Sequence, residues 1–272
     1  MFRYAVLIYS LLHHGVLSPV FVQLAEAAEE LGVDWSSDAI TAVGIGDPPA
    51  NPANVAQARA MAIRSAILNA QENLGSIVRR VPVTAESTVE QILARDNLVR
   101  IKIETLLKGA HQIGKPNYLP DGSIEVRVGI PLSALADAVL PDTGFAPEPL
   151  RPGPIGSGPN VFTGVVIDAR GLGVLPALAP RVLDEKGNEL YGPSFVSRKQ
   201  AVNGGMAGYM KSLEDAWKDG RAGKNPLLVK GVGAAGQSRP EVNLSAEDAA
   251  RLREAVQAYD FLSQGSVLFL ID

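Results

Sequence analysis

The chain has 272 residues, of which 46% are hydrophobic, and this content can fill one large core or two ordinary ones. Its formal net charge of −4 is mild, and its cations form no block that could follow a phosphate backbone, so we predict no nucleic-acid partner. Cysteine is absent, which excludes disulfides, thiolate zinc sites and cysteine nucleophiles.

The first 27 residues have the pattern of a secretory signal peptide. One early cation, Arg3, precedes an apolar run from Tyr4 to Leu12, and the small residues of Ala25-Glu26-Ala27 fit a cleavage site. We therefore predict a signal peptide over residues 1–27 and a mature protein in the periplasm or cell envelope. The alternatives are an uncleaved amphipathic helix and a membrane anchor, although His13-His14-Gly15 interrupts the apolar run that a membrane span needs.

A stretch rich in proline and glycine divides the remaining chain. Residues 141–159 read PDTGFAPEPLRPGPIGSGP, with neither the period of a strand nor that of a helix, which is typical of a linker. We predict one domain at residues 36–140 and a second at residues 160–272. Both are predicted to be small α+β domains, each a mixed or antiparallel sheet with helices packed on one face.

In the first domain, residues 40–46 form an apolar run that proline ends, which predicts a strand. Residues 54–74 follow a helical period, with an alanine every fourth position along a seam that we expect to face the core. Residues 76–83 are predicted as a strand. The pattern of residues 87–107 fits a strand in part and a helix in part, and its length favours the helix.

The clearest element is a hairpin at the end of this domain. The turn Pro120-Asp121-Gly122 is followed by SIEVRVGI, in which apolar and charged residues alternate as in a half-buried strand. We predict that this strand pairs with residues 112–118. The predicted order of the domain is β-α-β-α-β-β.

The second domain is predicted from shorter signals. Strands are expected at residues 162–168, 181–184, 189–191 and 266–271, and helices at residues 207–218 and after the capping residue Ser245. The glycine-rich segment at residues 231–236 is interpreted as flexible and as following a strand. No Lys-Ser or Lys-Thr pair follows it, so we do not predict a nucleotide-binding loop there.

The segment VVIDARGLG, ending at Gly173, is the best candidate for chemistry. A dinucleotide-binding loop would lead into a helix, but Pro176 and Pro180 follow here. The segment also looks like the strand end of zinc amidases that cut cell-wall peptides, but no histidine stands where a ligand would be expected. We therefore predict a strand and a tight turn, in which Gly171 and Gly173 supply positive φ and Asp168 and Arg170 are surface charges.

This turn, made of Asp168, Arg170, Gly171 and Gly173, is our predicted interface or ligand site. We predict no catalytic residue, no metal ligand and no cofactor. Removal of residues 1–27 would leave His111 as the single histidine, so a three-histidine zinc site could not form.

Three segments together resemble a known type of envelope protein: TAVGIGDPP, the alanine-rich VAQARAMAIRSAILNAQENLGSIVRRV, and LLKGAHQIGKPNYLPDGSIEVRVGIPL. They are similar to the FlgP and FlgT type, small outer-membrane lipoproteins and flagellar ring components, over residues 36–135. The resemblance implies a non-enzymatic envelope protein that assembles with copies of itself or with a ring around the flagellar shaft. Many such proteins are lipidated on a cysteine, which this chain lacks, so any outer-membrane association must go through protein contacts.

Three functional hypotheses follow. The main one is an exported structural or assembly protein with protein partners in the envelope, a homo-oligomer among them, and with a flagellar outer-membrane ring or basal disk as its specific setting. The alternative is a periplasmic binding module, which grips a cell-wall glycan, a peptide or a protein ligand through residues 168–173 and 231–236. The third is a metal-dependent hydrolase, which the absence of a ligand set disfavours.

Overall fold

The computed structural model describes residues 32–147, 161–236, 239–258 and 260–272. The predicted signal peptide, residues 1–27, and residues 148–159 of the predicted linker lie outside the described residues. None of the helices in the described ranges is both long and apolar enough to cross a membrane.

The described residues form two sheets with helices. In chain order, the part before the linker contains β1 (Val33–Asp34), β2 (Ala39–Gly46), α1 (Val55–Arg80), α2 (Val89–Leu93), α3 (Asn97–Lys108), β3 (His111–Tyr118), β4 (Ile124–Pro131) and α4 (Leu132–Val139). The part after it contains β5 (Gly164–Asp168), β6 (Arg181–Leu183), β7 (Glu189–Tyr191), α5 (Arg198–Asn203), β8 (Gly208–Met210), α6 (Leu213–Asp219), β9 (Pro226–Ala235), β10 (Glu241–Leu244), α7 (Ala246–Ala258) and β11 (Val267–Leu270).

The first sheet is antiparallel, with strand order β1-β2-β4-β3, and α1 packs along β2 and β4. The predicted alanine seam faces this sheet, since Ala62, Ala66 and Ala70 are fully buried. The helix can lie this close because β2 has glycine at the contact: a methyl group on Gly44 would overlap main-chain atoms of Ala66 and Ala70.

The predicted strand at residues 76–83 is wrong, because α1 continues to Arg80. Leu74 and Val78 are both buried, so the helical face simply runs on by one more turn. Arg79 and Arg80 lie in the last turn, where positive charge is favourable at a helix carboxyl end. The β-branched residues of this segment made it look like a strand, and packing against the sheet overrode that local preference.

The ambiguous segment at residues 87–107 forms two helices, as its length favoured, with a break between them. Asp96 makes the break, because its carboxylate accepts hydrogen bonds from the main-chain N–H groups of Leu98 and Val99 at 2.8 and 3.1 Å. This is the capping geometry that starts a new helix.

The predicted hairpin is confirmed: β3 and β4 pair antiparallel and meet at the turn before Ser123. Both edges of the first sheet are protected against a further strand. At the β2 edge, Asn69 accepts from the N–H of Ile45 at 3.0 Å and Asn73 donates to the carbonyl oxygen of Val43 at 2.8 Å. At the other edge, a bulge interrupts β3.

The second sheet is mixed, with strand order β7-β6-β10-β9-β5-β11-β8. Strands β8, β11, β5 and β9 are parallel neighbours, and β10 then pairs antiparallel with β9. The strands predicted at residues 181–184, 189–191 and 266–271 are confirmed, as is the helix after Ser245. The α+β class is confirmed as well, with one antiparallel and one mixed sheet.

Two further predictions in this part are wrong. The predicted helix at residues 207–218 begins with a strand, β8, because Tyr209 stacks on Phe269 of the neighbouring β11 with ring centroids 5.5 Å apart. The helix α6 starts only at Leu213, after the capping residue Ser212. The glycine-rich segment at residues 231–236 belongs largely to β9, so its interpretation as flexible is wrong.

The two faces of the second sheet are covered differently. Its inner face joins α7 and the first sheet in one continuous core, which includes Val165, Ile167 and Phe269. On the outer face, α6 covers a smaller cluster that includes Val166 and Leu268. Both faces of the second sheet therefore have packed elements, but α6 on the outer face is only seven residues long and covers part of that face.

The two sheets are joined through direct contacts. The ring of Trp35 lies edge-on to Tyr209 with centroids 5.3 Å apart. Main-chain N–H groups of Leu178 and Ala179 donate to the carbonyl oxygens of Pro82 and Val83 at 3.1 and 2.8 Å. These contacts place the residues that follow α1 against the loop that leads into β6 of the second sheet.

We expect Gly44→Ala to destabilise the fold, because the added methyl group would overlap the main chain of α1. The expected loss in the free energy of unfolding is about 3 kcal/mol, the upper part of the range for overpacking. Urea unfolding followed by circular dichroism measures it. The matched control is Gly75→Ala in α1, where the methyl would lie 3.4 Å from Leu107 Cδ1 and should cost nothing. Equal losses in both variants would contradict the close contact.

Candidate functional site

The predicted turn follows β5, as its sequence indicated. Asp168 is the last residue of β5, and the N–H of Leu172 donates to the carbonyl oxygen of Ala169 at 3.2 Å. Gly171 and Gly173 have φ of 77° and 65°, so both occupy the left-handed region that favours glycine. The prediction that these glycines supply positive φ is confirmed.

The two charges of the turn bind each other. Arg170 donates from Nε to Asp168 Oδ1 at 2.9 Å and from Nη2 to Oδ2 at 2.7 Å, a bidentate pair. The hydrogen bonds from Arg170 hold the pKa of the Asp168 carboxyl below its ordinary value, against a smaller opposing effect of partial burial. A paired acid of this kind is poorly suited to act as a general base.

The turn is also tied to the end of the chain's last strand. The N–H of Gly171 donates to Asp272 Oδ1 at 2.7 Å, two residues after β11. The turn thus lies at the carboxyl ends of two adjacent parallel strands, β5 and β11.

The structure brings the turn next to the other segment of the binding hypothesis. Lys230 of β9 is the register partner of Asp168, and its charge contributes to lowering the pKa of that carboxyl. Residues 168–173 therefore lie beside the start of residues 231–236. The parallel pairing of β5 with β9 brings these two segments together, and their spacing in the sequence does not reveal that pairing.

An apolar surface continues from this point along β9. Leu228, Lys230 and Val232 alternate with buried residues and point to the outer face of the sheet. Leu228 is 45% exposed and Val232 is 56% exposed. We call these three residues the open face, because α6 covers Val166 beside Leu228 but does not cover β9 itself.

The sequence contained a signal for this surface that we missed. The stretch PLLVKGV is a short, largely apolar run, which is typical of a strand, but the glycines that follow suggested a flexible segment. The aromatic residue Trp217 of α6 is also 47% exposed and belongs to the helix that covers the adjoining strands.

Acidic residues elsewhere in this part do not form a metal site. Glu214 of α6 pairs with Lys218 at 2.7 Å, on a face that is open to solvent. Among the residues that the structure describes, no three or more histidine, aspartate or glutamate side chains are grouped so that they could hold a metal ion.

We expect the Asp168–Arg170 pair to make a small, pH-dependent contribution to stability. Because the folded-state pKa of Asp168 is lowered, the contribution is present above the unfolded-state pKa of about 3.9 and is lost as the pH falls through the folded-state value. Asp168→Asn should cost less than about 1 kcal/mol at pH 7, since the side chains are 34% and 46% exposed.

Urea midpoints at pH 7 and at low pH measure this contribution. The difference between wild type and Asp168→Asn should shrink as the pH falls. Arg170→Gln and the double variant supply the control, because a real pair gives a non-additive effect. An equal difference at both pH values would show that the substitution acts through something other than the ion pair.

Comparison with known protein families places the second part of the chain beside a described domain. Residues 164–272 match a protein family described as Treponema pallidum Tp0624, second domain. No curated protein matches the chain. The match lies outside residues 36–135, so the resemblance of that region to the FlgP and FlgT type stays a prediction. The part of the chain from β5 onward, with the turn and the open face, is thus similar to the second domain of Tp0624.

Proposed function

We propose that this protein is a non-enzymatic, exported component of the cell envelope that acts by assembling with protein partners, copies of itself among them. The observation that carries the proposal is the open face: a strand in the middle of the second sheet presents apolar side chains to solvent. Leu228 and Val232 would normally be covered by another layer, because a sheet face buries its apolar side chains against a neighbour.

The setting of this surface supports a protein contact. The bidentate Asp168–Arg170 pair stands at its border, and Lys230 stands between its two apolar residues. An apolar centre with a polar rim is the usual organisation of protein–protein interfaces. A self-paired acid and base at the rim can exchange partners with a neighbouring protein at little cost.

Two arginines connect the part of the chain that carries the surface to the part before the linker. Arg198 of α5 donates to Asp137 Oδ1 at 2.9 Å and to the carbonyl oxygens of Asp137 and Leu140 at 2.9 and 3.3 Å. It thereby ties the second part of the chain to the carboxyl end of α4, where cations are favourable. Arg181 bridges the two parts in a similar way, binding Glu86 at 2.6 Å and also Glu241.

Export and location are proposed from the sequence. The cation, apolar run and Ala-Glu-Ala site of residues 1–27 support secretion, so we place the protein in the periplasm. The resemblance of residues 36–135 to the FlgP and FlgT type suggests the outer-membrane flagellar ring or basal disk as its setting. Because the chain lacks cysteine, attachment there would depend on protein contacts.

We expect the chain starting at Ala28 to form a discrete oligomer. Light scattering across a concentration series measures its molar mass. Val232→Lys should lower that mass towards a single chain, because it places a charge in the centre of the open face. Leu175→Lys is the matched control, since Leu175 is 51% exposed but lies in a loop outside the open face.

A strict monomer at every concentration would contradict self-assembly. It would favour the alternative, a module that binds a cell-wall glycan, a peptide or another protein. An oligomer that both substitutions leave unchanged would place the interface elsewhere.

We also expect the full chain to be exported and cleaved when it is expressed in a bacterium with an outer membrane. The mass of the protein recovered from the periplasm should correspond to a chain that begins at Ala28. Replacing Ala25 and Ala27 by larger residues should leave the longer chain, since signal peptidase needs small side chains at these positions. Recovery of the uncleaved chain from the cytoplasm would contradict export.

A further inference from the structure

Helix α3 has more apolar surface than the fold covers. Six of its residues are apolar, namely Leu98, Val99, Ile101, Ile103, Leu106 and Leu107, yet Ile103 alone is fully buried. Leu98 is 73% exposed and Ile101 is 60% exposed. They stand three positions apart and therefore project from the same side of the helix. Helices that are apolar on more than one side normally have neighbours on more than one side.

One side of α3 already has neighbours within the chain. The helix contacts α1, α2 and α4, and Ile103 is part of the main core. Leu98 and Ile101 belong neither to that core nor to the partly buried residues around it. They form an exposed stripe, which we call the α3 stripe.

The open face of the second sheet lies next to α6, the helix that covers the neighbouring strands. It is the outer surface of one strand, and the chain places a helix on one face of each sheet nearby: α1 lies on one face of the first sheet, and α6 lies on the strands next to β9 on the outer face of the second. A helix placed on β9 beside α6 would complete that layer. Strand pairing offers no equivalent route, because the edges of the first sheet are protected and β7 and β8 at the edges of the second are three residues long.

The open face contains one cation, Lys230, whereas the helices beside the two surfaces carry opposite net charges. Helix α3 carries Arg100, Lys102 and Lys108 against Glu104. Helix α6, which borders the open face, carries Glu214, Asp215 and Asp219 against Lys218. A basic helix placed next to an acidic one gains favourable electrostatics, whereas two copies of either surface would repel each other.

We propose that the α3 stripe of one copy of this chain packs on the open face of the next copy. The inference rests on the proposed assembly function and adds its geometry. Because the two surfaces differ, the contact is head-to-tail, and repetition gives a closed ring or an open chain, according to the rotation between neighbours.

The test uses two variants of the chain starting at Ala28. The first replaces Leu98 and Ile101 by lysine, and the second replaces Leu228 and Val232 by lysine. Each variant alone should be monomeric by light scattering. A mixture of the two should give a species of two chains and no larger one, because the intact face of the first variant can bind the intact stripe of the second.

The outcomes separate this inference from the proposed function. If wild type is oligomeric but either variant still assembles, or the mixture yields no two-chain species, the head-to-tail contact is overturned while self-assembly stands. If wild type is monomeric at every concentration, both fail. Thermal unfolding of each variant checks that it is folded.

A second measurement avoids disruptive substitutions. Because the chain has no cysteine, Ile101→Cys and Leu228→Cys can be introduced together and joined by a short bismaleimide. The proposal predicts a ladder of linked chains. The control pairs Ile101→Cys with Leu175→Cys and should give far fewer links. Equal ladders, or none in the test protein, would overturn the proposal.

Discussion

The close contact between α1 and β2 determines where most of the structure lies. Glycine at the contact, Gly44 above all, lets the alanine seam of α1 approach the strand to backbone distance. The helix is long, so its position also sets the course of the residues that follow it. Those residues, Pro82 and Val83, receive the main-chain hydrogen bonds of Leu178 and Ala179. One tight helix–strand contact thereby helps to place the second sheet against the first.

This arrangement determines which elements pack on each face of the second sheet. Its inner face is shared with α7 and with the first sheet, so a continuous core forms there. Its outer face is left to α6, whose seven residues cover the strands on one side of β9. The exposure of apolar residues of β9 in the described part of the chain is thus a consequence of how its two parts are joined.

The charged residues at the border of the open face are paired with each other. Asp168 and Arg170 satisfy each other, and the turn is tied to Asp272 by a further hydrogen bond. A turn with satisfied charges offers polar edges for recognition and no free base for catalysis. Charges are also paired where the two parts of the chain meet, because Arg181 and Arg198 bind acidic residues of the part before the linker. Both features fit the assembly role proposed above.

Local patterns determined much of the fold. The hairpin of β3 and β4, the helix of α1 and the glycine turn at residues 171–173 were predictable, because period, proline and positive φ act over a few residues. The extent of α1 beyond Leu74 and the strand β8 were not, because burial of Val78 and the stacking of Tyr209 on Phe269 involve residues distant in sequence.

The candidate site divides in the same way. The sequence by itself determined the turn of Asp168, Arg170, Gly171 and Gly173, whose members are contiguous. Only the tertiary structure decided that Lys230 lies beside Asp168 and that Leu228 and Val232 stay uncovered. The strand order places Lys230 beside Asp168, and the short length of α6 leaves Leu228 and Val232 exposed. Both depend on how the whole chain packs.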